Sequence, residues 1–452
     1  MSIYNKNIDT FIQNFDVSRF NKNTHGEVNT DFALIHKIMD LLPQELFADK
    51  NKKWLDPCCG RGYFSIILYQ RLFKSLSTQI KNPEERHIHI IENMIYMIEI
   101  NKEHIEELYD VFGENANILY GDFLDFTNQK YDVIIGNPPF NVNGVVKVPT
   151  QRSLSKKSDG KMIWADFTLH ALSFLSDGGY LSFITPSIWM KNDHFMYGKM
   201  IKYKIEKLHT MNNTQTNQAF HGQAQTPTCY FSLQKTPNVS KEINLFDSQM
   251  NKYVLFKPTH SIPLFAESIF KKLAPFTKNK QYLIVKKTNM PLKGIEFSLK
   301  QTKKSPCPNI KTCRLNKTVP YLDINYSNRD CRFANIPKLV LAHKMYGFPF
   351  HDKEGKYGIS NRDNYVILGK TEKKLNQIKD FLSTKTALYL FEGTRYRMKY
   401  LEKYVFELIP DISNLNDFPE QITDESIADY FKFNKEERLK IRLFQKKAYS
   451  FF

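Results

Sequence analysis

The chain has 452 residues, 42% apolar and 14% aromatic, with a formal net charge of +17. It is too long for a single domain, and it holds no apolar run long enough to cross a bilayer and no signal peptide, so a soluble intracellular protein with no membrane partner is expected. Six cysteines in no paired pattern exclude a disulfide scaffold; Cys307, Cys313 and Cys331 match no zinc spacing, read as free thiols, and no metal is expected.

The positive excess is one-sided. Residues 1–240 hold 25 Lys and Arg against 25 Asp and Glu, which leaves 39 against 22 for residues 241–452. That split predicts a neutral catalytic half and a half that meets a polyanion. Residues 1–24 are polar and Asn-rich and read as an N-terminal arm. Thr30 is placed to cap a helix over Asp31–Leu42, where Leu34, Ile35, Ile38, Leu41 and Leu42 recur at helical spacing until Pro43. Trp54-Leu-Asp-Pro-Cys-Cys-Gly-Arg-Gly-Tyr-Phe64 reads as strand, tight turn and helix start. Asp56 and Pro57 close the strand, while Gly60 and Gly62 let the backbone pass close to a ligand. Cys58 and Cys59 read as small packing residues. An inserted helix follows over Lys81–Asn93, then a strand from Met94 ending at Glu99, then a helix over Lys102–Phe112. A carboxylate at the carboxyl end of a strand can accept both hydroxyls of a ribose, which points to Glu99 before Glu92.

Ile118–Leu124 is a further strand and turn carrying Asp122 and Phe123, with Asp125 as the alternative acid. Tyr131–Ile135 is a short β-branched run that reads as a buried strand, stopped by Gly136 and by Pro138-Pro139. The strand therefore delivers Asn137 and Phe140 onto a stiff turn where open parallel sheets bind ligands. Asn137 offers an amide oxygen and Pro138 only a carbonyl; two fixed acceptors beside a flat ring suit a planar amine. The segment Asn141–Gly160 is too long for an ordinary connection. A helix over Met162–Leu175 and strands Tyr180–Thr185, Ile205–Met211 and Cys229–Leu233 follow, with a polar loop Asn212–Pro227 that carries Phe220.

Together these stretches resemble the γ class of S-adenosylmethionine-dependent methyltransferases that act on N6 of adenine in DNA. Asn137-Pro138-Pro139-Phe140 resembles its motif IV, the 56–64 stretch motif I, Glu99 motif II, Asp122-Phe123 motif III, Thr30 motif X and Phe220 motif VIII, in the order X, I, II, III, IV, VIII. Where motif X ordinarily has Pro after the Thr, this chain has Asp31. The resemblance covers residues 25–237. It implies an α/β, Rossmann-like domain over 25–240 with a mixed, mainly parallel seven-stranded sheet, and an α+β target-recognition domain over 241–452. It implies S-adenosylmethionine as cofactor, held by Thr30, Asp56, Pro57, Gly60, Gly62, Glu99, Asp122, Phe123 and Asn137. Asp122 would take the cofactor adenine amine, with Phe123 on that ring. Asn137, Pro138, Pro139 and Phe140 would be catalytic, and Phe140 and Phe220 would stack on a flipped-out base. A monomer acting on double-stranded DNA is expected; a separate cognate restriction endonuclease is left open. So are an RNA adenine-N6 methyltransferase, a protein-glutamine methyltransferase and a catalytically silent DNA-specificity protein.

In the second half, strands are expected at Val254–Phe256, Tyr282–Val285, Lys338–Ala342 and Tyr365–Leu368, and helices at Phe265–Leu273, Leu375–Leu388 and Glu436–Lys447. Arg395, Arg397 and Lys399 alternate, so an extended chain over Tyr389–Tyr400 would present them together to phosphates. Lys344 flanks an expected hairpin at Asp352–Gly355 and is a further candidate for binding phosphates.

Overall fold

The computed structural model describes residues 3–5, 30–127, 129–141, 162–222, 224, 226–316, 319–343, 348–397 and 400–445. Lys344, Lys399 and nearly all of the expected loop 141–160 lie outside the described residues. The chain divides into two compact units, Met1–Phe246 with Tyr253–Ile262, and Asp247–Lys252 with Pro263–Phe452.

In the first unit the apolar β-branched runs become the centre of one sheet. Its strands are β1 (Trp54–Asp56), β2 (Ile95–Glu99), β3 (Asn117–Tyr120), β4 (Tyr131–Gly136), β5 (Leu175–Pro186), β6 (Tyr203–Met211), β7 (Thr228–Pro237), β8 (Ile243–Asp247) and β9 (Lys252–Phe256), in the order β3-β2-β1-β4-β5-β7-β6-β8-β9. β3, β2, β1, β4 and β5 run parallel, and β7 is antiparallel to β5 and β6 on either side. The mixed α/β sheet is therefore present, but with nine strands where seven were expected. The extra two are β8, which pairs parallel with β6 through Leu208↔Leu245 and His209↔Phe246, and β9 beside it, so the sheet runs on past residue 240 and takes in the Val254–Phe256 run expected in the second domain. Trp54, Val133, Ile134 and Ile135 are fully buried, as strands covered on both faces must be.

The helices that flank the site start in different ways. In α1 (Phe32–Met39) the cap is Asp31, whose carboxylate accepts from the Ala33 N–H at 2.7 Å. Thr30 was expected there; the anionic acceptor one residue on takes the role. α2 (Tyr63–Ser75) begins after Gly62, which has φ +83°, and a Cβ at that position would lie 2.8 Å from Leu108 Cδ2. Only glycine meets both demands. α3 (Pro83–His89) runs through one wide turn, Ile90–Met94, into β2. α4 (Lys102–Phe112) and α5 (Trp164–Phe174) lie close to their expected ranges, and a short α6 (Tyr197–Ile201) precedes β6.

The expected polar loop 212–227 is partly helical. Asn212 and Gln215 form a reciprocal capping box that starts α7 (Asn213–Ala219), and Phe220 closes it.

The second unit holds two four-stranded sheets. One is ordered β10 (Lys286–Lys287), β17 (Asn364–Ile367), β14 (Lys338–Ala342), β15 (Phe350–Asp352); the other β11 (Phe297–Ser298), β13 (Val319–Ser327), β12 (Cys307–Asn316), β16 (Gly358–Ile359). Ile310, Cys313, Val340, Ala342, Ile359 and Val366 form a core between them. Tyr282–Val285 is no strand; Tyr282 makes a single bridge to Pro410. α8 (Glu267–Thr277) falls near its expected place. The single helix expected over 375–388 is two, α9 (Glu372–Leu382) and α10 (Lys385–Gly393), because the Thr384 hydroxyl accepts from the Ala387 N–H and caps a new start. α11 (Asp424–Tyr430) and α12 (Lys435–Leu443) complete the unit.

Candidate active site

The carboxyl ends of β1, β2, β3 and β4 meet at a cavity of about 230 Å³ lined by Pro57, Cys58, Glu99, Ile100, Asp122, Phe123, Pro139 and Phe167, among others. Glu99 is the structural centre of its rim. Its Oε2 accepts from the Gly60 N–H at 2.7 Å and its Oε1 from the Asn101 N–H at 2.7 Å. One carboxylate thus ties the turn after β1 to the turn after β2. Each carboxylate oxygen has a second lone pair, so two hydroxyls of a diol can still be accepted. Glu92, the competing acid, lies away from the cavity and accepts from Asn115 Nδ2. Asp122 is half-buried and lines the cavity; its Oδ1 accepts from the Leu124 N–H at 3.0 Å. Phe123 is 2% exposed and wedged among Phe167, His170 and Phe174 at ring-centroid distances of 5.6, 4.7 and 5.2 Å. Its ring is a fixed wall.

Asp56 sits deeper. The Ser65 hydroxyl donates to Oδ2 at 3.2 Å, and buried Oδ1 meets no hydrogen-bond donor among the described residues. Burial pushes this carboxyl up to about 7, against the Ser65 bond, and the neighbouring Glu99 charge adds to the rise. A buried acid with an unfilled oxygen beside a cavity suits a cationic ligand group. Cys58 and Cys59 are pushed up by the same burial, so neither is a poised thiolate.

The 136–140 corner closes one side. Gly136 has φ +150°, and a Cβ there would lie 3.1 Å from Asp56 Oδ1, so the residue that starts the turn also leaves room for the acid. Asn137 Nδ2 donates to Thr30 Oγ1 at 3.1 Å. Thr30 is thus placed differently from its expected role: it is 6% exposed, does not cap α1, and instead holds the amide nitrogen of Asn137. One of the two amide N–H groups is engaged in this way, which fixes the plane of the amide and the direction of its buried oxygen. Pro138 is buried and Pro139 half-buried. The Phe140 carbonyl accepts from the Ile163 N–H at 3.2 Å, fixing the far end of the turn.

Phe140 and Phe220 are brought together, with ring centroids 6.4 Å apart and planes 84° apart. Phe220, expected in a polar loop as a second aromatic against the base, is fully buried, because its place at the end of α7 turns it into the core with Ala219 and Tyr230. It supports Phe140 edge-on. Ser65 was also missed. A lone serine in the apolar run Tyr63–Leu68 was a signal for a buried polar partner.

Of the remaining candidates, Arg395 and Arg397 are described, and they do not form the expected extended row. The chain from Tyr389 to Gly393 is helix α10, not strand. Arg395 is buried at 7% exposure and paired with Glu392 at 3.2 Å. Arg397 is held by Glu402 through two hydrogen bonds, both 2.8 Å. Arginines engaged by carboxylates in this way are structural clamps, not a row of phosphate ligands.

Residues 30–220, which hold the cavity, the corner, Thr30 and Phe220, match the family described as Eco57I restriction-modification methylase. The chain is 29% identical over 171 residues to the type II methyltransferase M.VspI of Vibrio sp. (strain 343), a match covering 36% of this chain and 37% of that protein. It is 28% identical over 162 residues to a tRNA1(Val) (adenine(37)-N6)-methyltransferase of Actinobacillus pleuropneumoniae serotype 5b (strain L20), covering 35% of this chain and 59% of that one. The matches thus span less than two thirds of these relatives. Among solved structures, the type IIL restriction-modification enzyme MmeI in complex with DNA aligns over 88% of this chain and 70% of that chain, at a TM-score of 0.48 and 14% identity. No helix among the described residues is long and apolar enough to cross a membrane.

Proposed function

We propose that this chain transfers a methyl group from S-adenosylmethionine to N6 of an adenine in DNA, with the base drawn out of the helix to the Asn137–Phe140 corner. The observation that carries the reading is the joining, at the strand ends, of a two-acid cavity and an asparagine whose amide is oriented by Thr30. Glu99 would hold the ribose hydroxyls, Asp122 the adenine amine, Phe123 and Phe167 the apolar walls, and Asp56 the cationic end. When bound there, the cofactor supplies an electrophilic methyl on a sulfonium.

The chain's own work falls on the amine. Adenine N6 is conjugated with its ring and is a poor nucleophile. The Asn137 oxygen and the Pro138 carbonyl would accept its two hydrogens, favouring a pyramidal nitrogen with its lone pair directed outward. Preorganised acceptors of this kind cost no rearrangement at the moment of reaction. Extruding the base costs roughly a few kcal/mol, and stacking on Phe140 would offset part of it. We assign this chemistry to the first unit and target recognition to the second, with its basic excess.

A second reading, methylation of adenine in RNA, is favoured by the likeness to the tRNA adenine-N6 enzyme. Tritiated methyl incorporation into duplex DNA, bulk tRNA and a release-factor protein, run in parallel, separates them. Label in DNA supports the proposal; label only in tRNA replaces it with the second reading, and label only in protein overturns both.

Two expected outcomes follow from the side chains. Thr30→Val removes the partner of Asn137 Nδ2 while keeping the shape, and kcat should fall about tenfold, the worth of one hydrogen bond of roughly 1 kcal/mol or more. KM for the cofactor should hold, and Thr30→Ser should restore the rate. For Asp56, the protonated form is favoured in the fold up to about pH 7. A cationic ligand needs the carboxylate, so cofactor affinity should rise from pH 6 to about 7 and level off above, and Asp56→Asn should flatten the profile. The same raised value makes Asp56 cost stability as pH climbs from the ordinary carboxylate range to about 7. Calorimetric titrations from about pH 5.5 to 8.5 check the binding profile.

A further inference from the structure

We infer that the solvent face of the β12–β13 hairpin in the second unit is the surface that engages duplex DNA, an inference that rests on the nucleic-acid reading above and names its target-reading element. β12 and β13 pair antiparallel from Cys307↔Ser327 to Asn316↔Val319; β11 and β16 flank the base of this ladder, and beyond Ile310 and Ile324 it runs on as a two-stranded ribbon. Alternation gives it two unlike faces. Ile310 and Cys313 are fully buried in the core with Ile359 and Val340, and Leu322 packs on them. The opposite face carries exposed Arg314 and Tyr321 with half-buried Thr312 and Asp323, and the irregularity between Ile310 and Thr312 turns Lys311 out to solvent, where its Nζ lies 4.0 Å from Asp323 Oδ2. Nothing hydrophobic explains this face.

Its chemistry is that of a base reader. Arg314 lies 4.8 Å from the centroid of the Tyr321 ring, directly opposite it in the ladder, and Tyr321 is 46% exposed. An exposed arginine stacked on an aromatic is preorganised without being neutralised. Arg314 enters no ion pair among the described residues, unlike Arg395 and Arg397. Arg314 can donate to guanine, Thr312 can donate or accept, and Asp323 can accept from cytosine at base edges of the major groove.

Charge points the same way. Residues 286–332, which contain the hairpin, hold eleven Lys and Arg against three Asp and Glu. Lys300, Lys303 and Lys304, on the connection leading into β12, are all exposed and unpaired by acids among the described residues. A ribbon of this width enters the major groove of B-form DNA, whereas that groove is too narrow in A-form RNA, so the occupant is DNA.

The test is fluorescence anisotropy of the full chain on a labelled mixed-sequence duplex, titrated across KCl concentrations, with an equal-length duplex RNA beside it. For Arg314→Ala/Tyr321→Ala we expect the DNA dissociation constant to rise about tenfold or more, with S-adenosylmethionine affinity by calorimetry unchanged within about twofold. Lys300→Gln/Lys303→Gln/Lys304→Gln, all exposed side chains, should weaken DNA binding and make the salt slope shallower by about one for each phosphate no longer neutralised. This triple variant decides the matter by itself should the first variant melt early. DNA affinity within about twofold of the parent in the triple variant, or a parent that prefers the RNA duplex, overturns the inference. A parent that binds duplex DNA through this face yet takes up no S-adenosylmethionine defeats the enzymatic reading and leaves the surface standing.

Discussion

Replacing Asn137 by alanine is expected to lower methyl transfer by about 10²–10³-fold, the usual cost of removing a preorganised polar group at a reacting centre. The loss should appear in kcat, measured with radiolabelled S-adenosylmethionine at saturating DNA. Asn137 belongs to the first unit and target recognition is assigned to the second, so duplex affinity should hold within about twofold. Asn137→Asp is the sharper companion. It keeps the shape and an acceptor oxygen but loses the Nδ2 donor that Thr30 Oγ1 receives at 3.1 Å, and it adds a negative charge at the corner. It should be nearly as inactive as the alanine variant. Phe140→Ala should act on a different step, weakening capture of the extruded base by roughly 1–3 kcal/mol, so its defect should shrink on single-stranded substrate where no extrusion is needed. Full activity in Asn137→Ala would remove the basis for an amine-directed mechanism.

The second large effect is expected at Glu99. Its two oxygens accept from Gly60 and Asn101 N–H groups at 2.7 Å each, so the carboxylate both shapes the glycine turn and is the proposed diol acceptor. Glu99→Ala should raise the cofactor dissociation constant about 100-fold, consistent with two charge-assisted bonds at roughly 1.5–3 kcal/mol each, partly offset by water. Glu99→Gln is also expected to fail, by about tenfold or more. A glutamine has one acceptor oxygen, and its NH₂ would be forced against a backbone N–H. At saturating cofactor the turnover of Glu99→Gln should approach that of the parent, because the reacting corner is untouched. A binding defect below about threefold in Glu99→Ala would show that the ribose is held elsewhere.

Local physics made the first unit readable. The β-branched run ending at Gly136-Asn-Pro-Pro, the Gly60 and Gly62 pair and the strand before Glu99 are each dictated by near neighbours in the chain, and the strands and helices formed close to where those signals lie. What could not be read was the meeting of distant segments. Thr30 and Asn137 are 107 residues apart, so no spacing rule could join them. Phe220 looked like an aromatic in a polar loop, but the Asn212–Gln215 capping box starts a helix that carries it inward. Of the sheet's two extra strands, β9 falls on the expected run Val254–Phe256 but joins the first sheet, and β8 joins through pairing of Ile243–Asp247 with β6, which composition does not encode. In the second unit the alternation of Arg395, Arg397 and Lys399 suggested a cationic row. The nearby acids Glu392 and Glu402 claim Arg395 and Arg397 instead. The exposed Arg314–Tyr321 pair becomes visible only once the ladder register sets one opposite the other.

The most direct measurement is the identity of the modified base. Plasmid DNA methylated by the purified full chain and S-adenosylmethionine should be digested to nucleosides and analysed by mass spectrometry against authentic standards. N6-methyladenine as the product, absent with Asn137→Ala, is the expected result. Methylcytosine instead, or no methylated nucleoside from DNA, would contradict an adenine amine held at the Asn137–Phe140 corner.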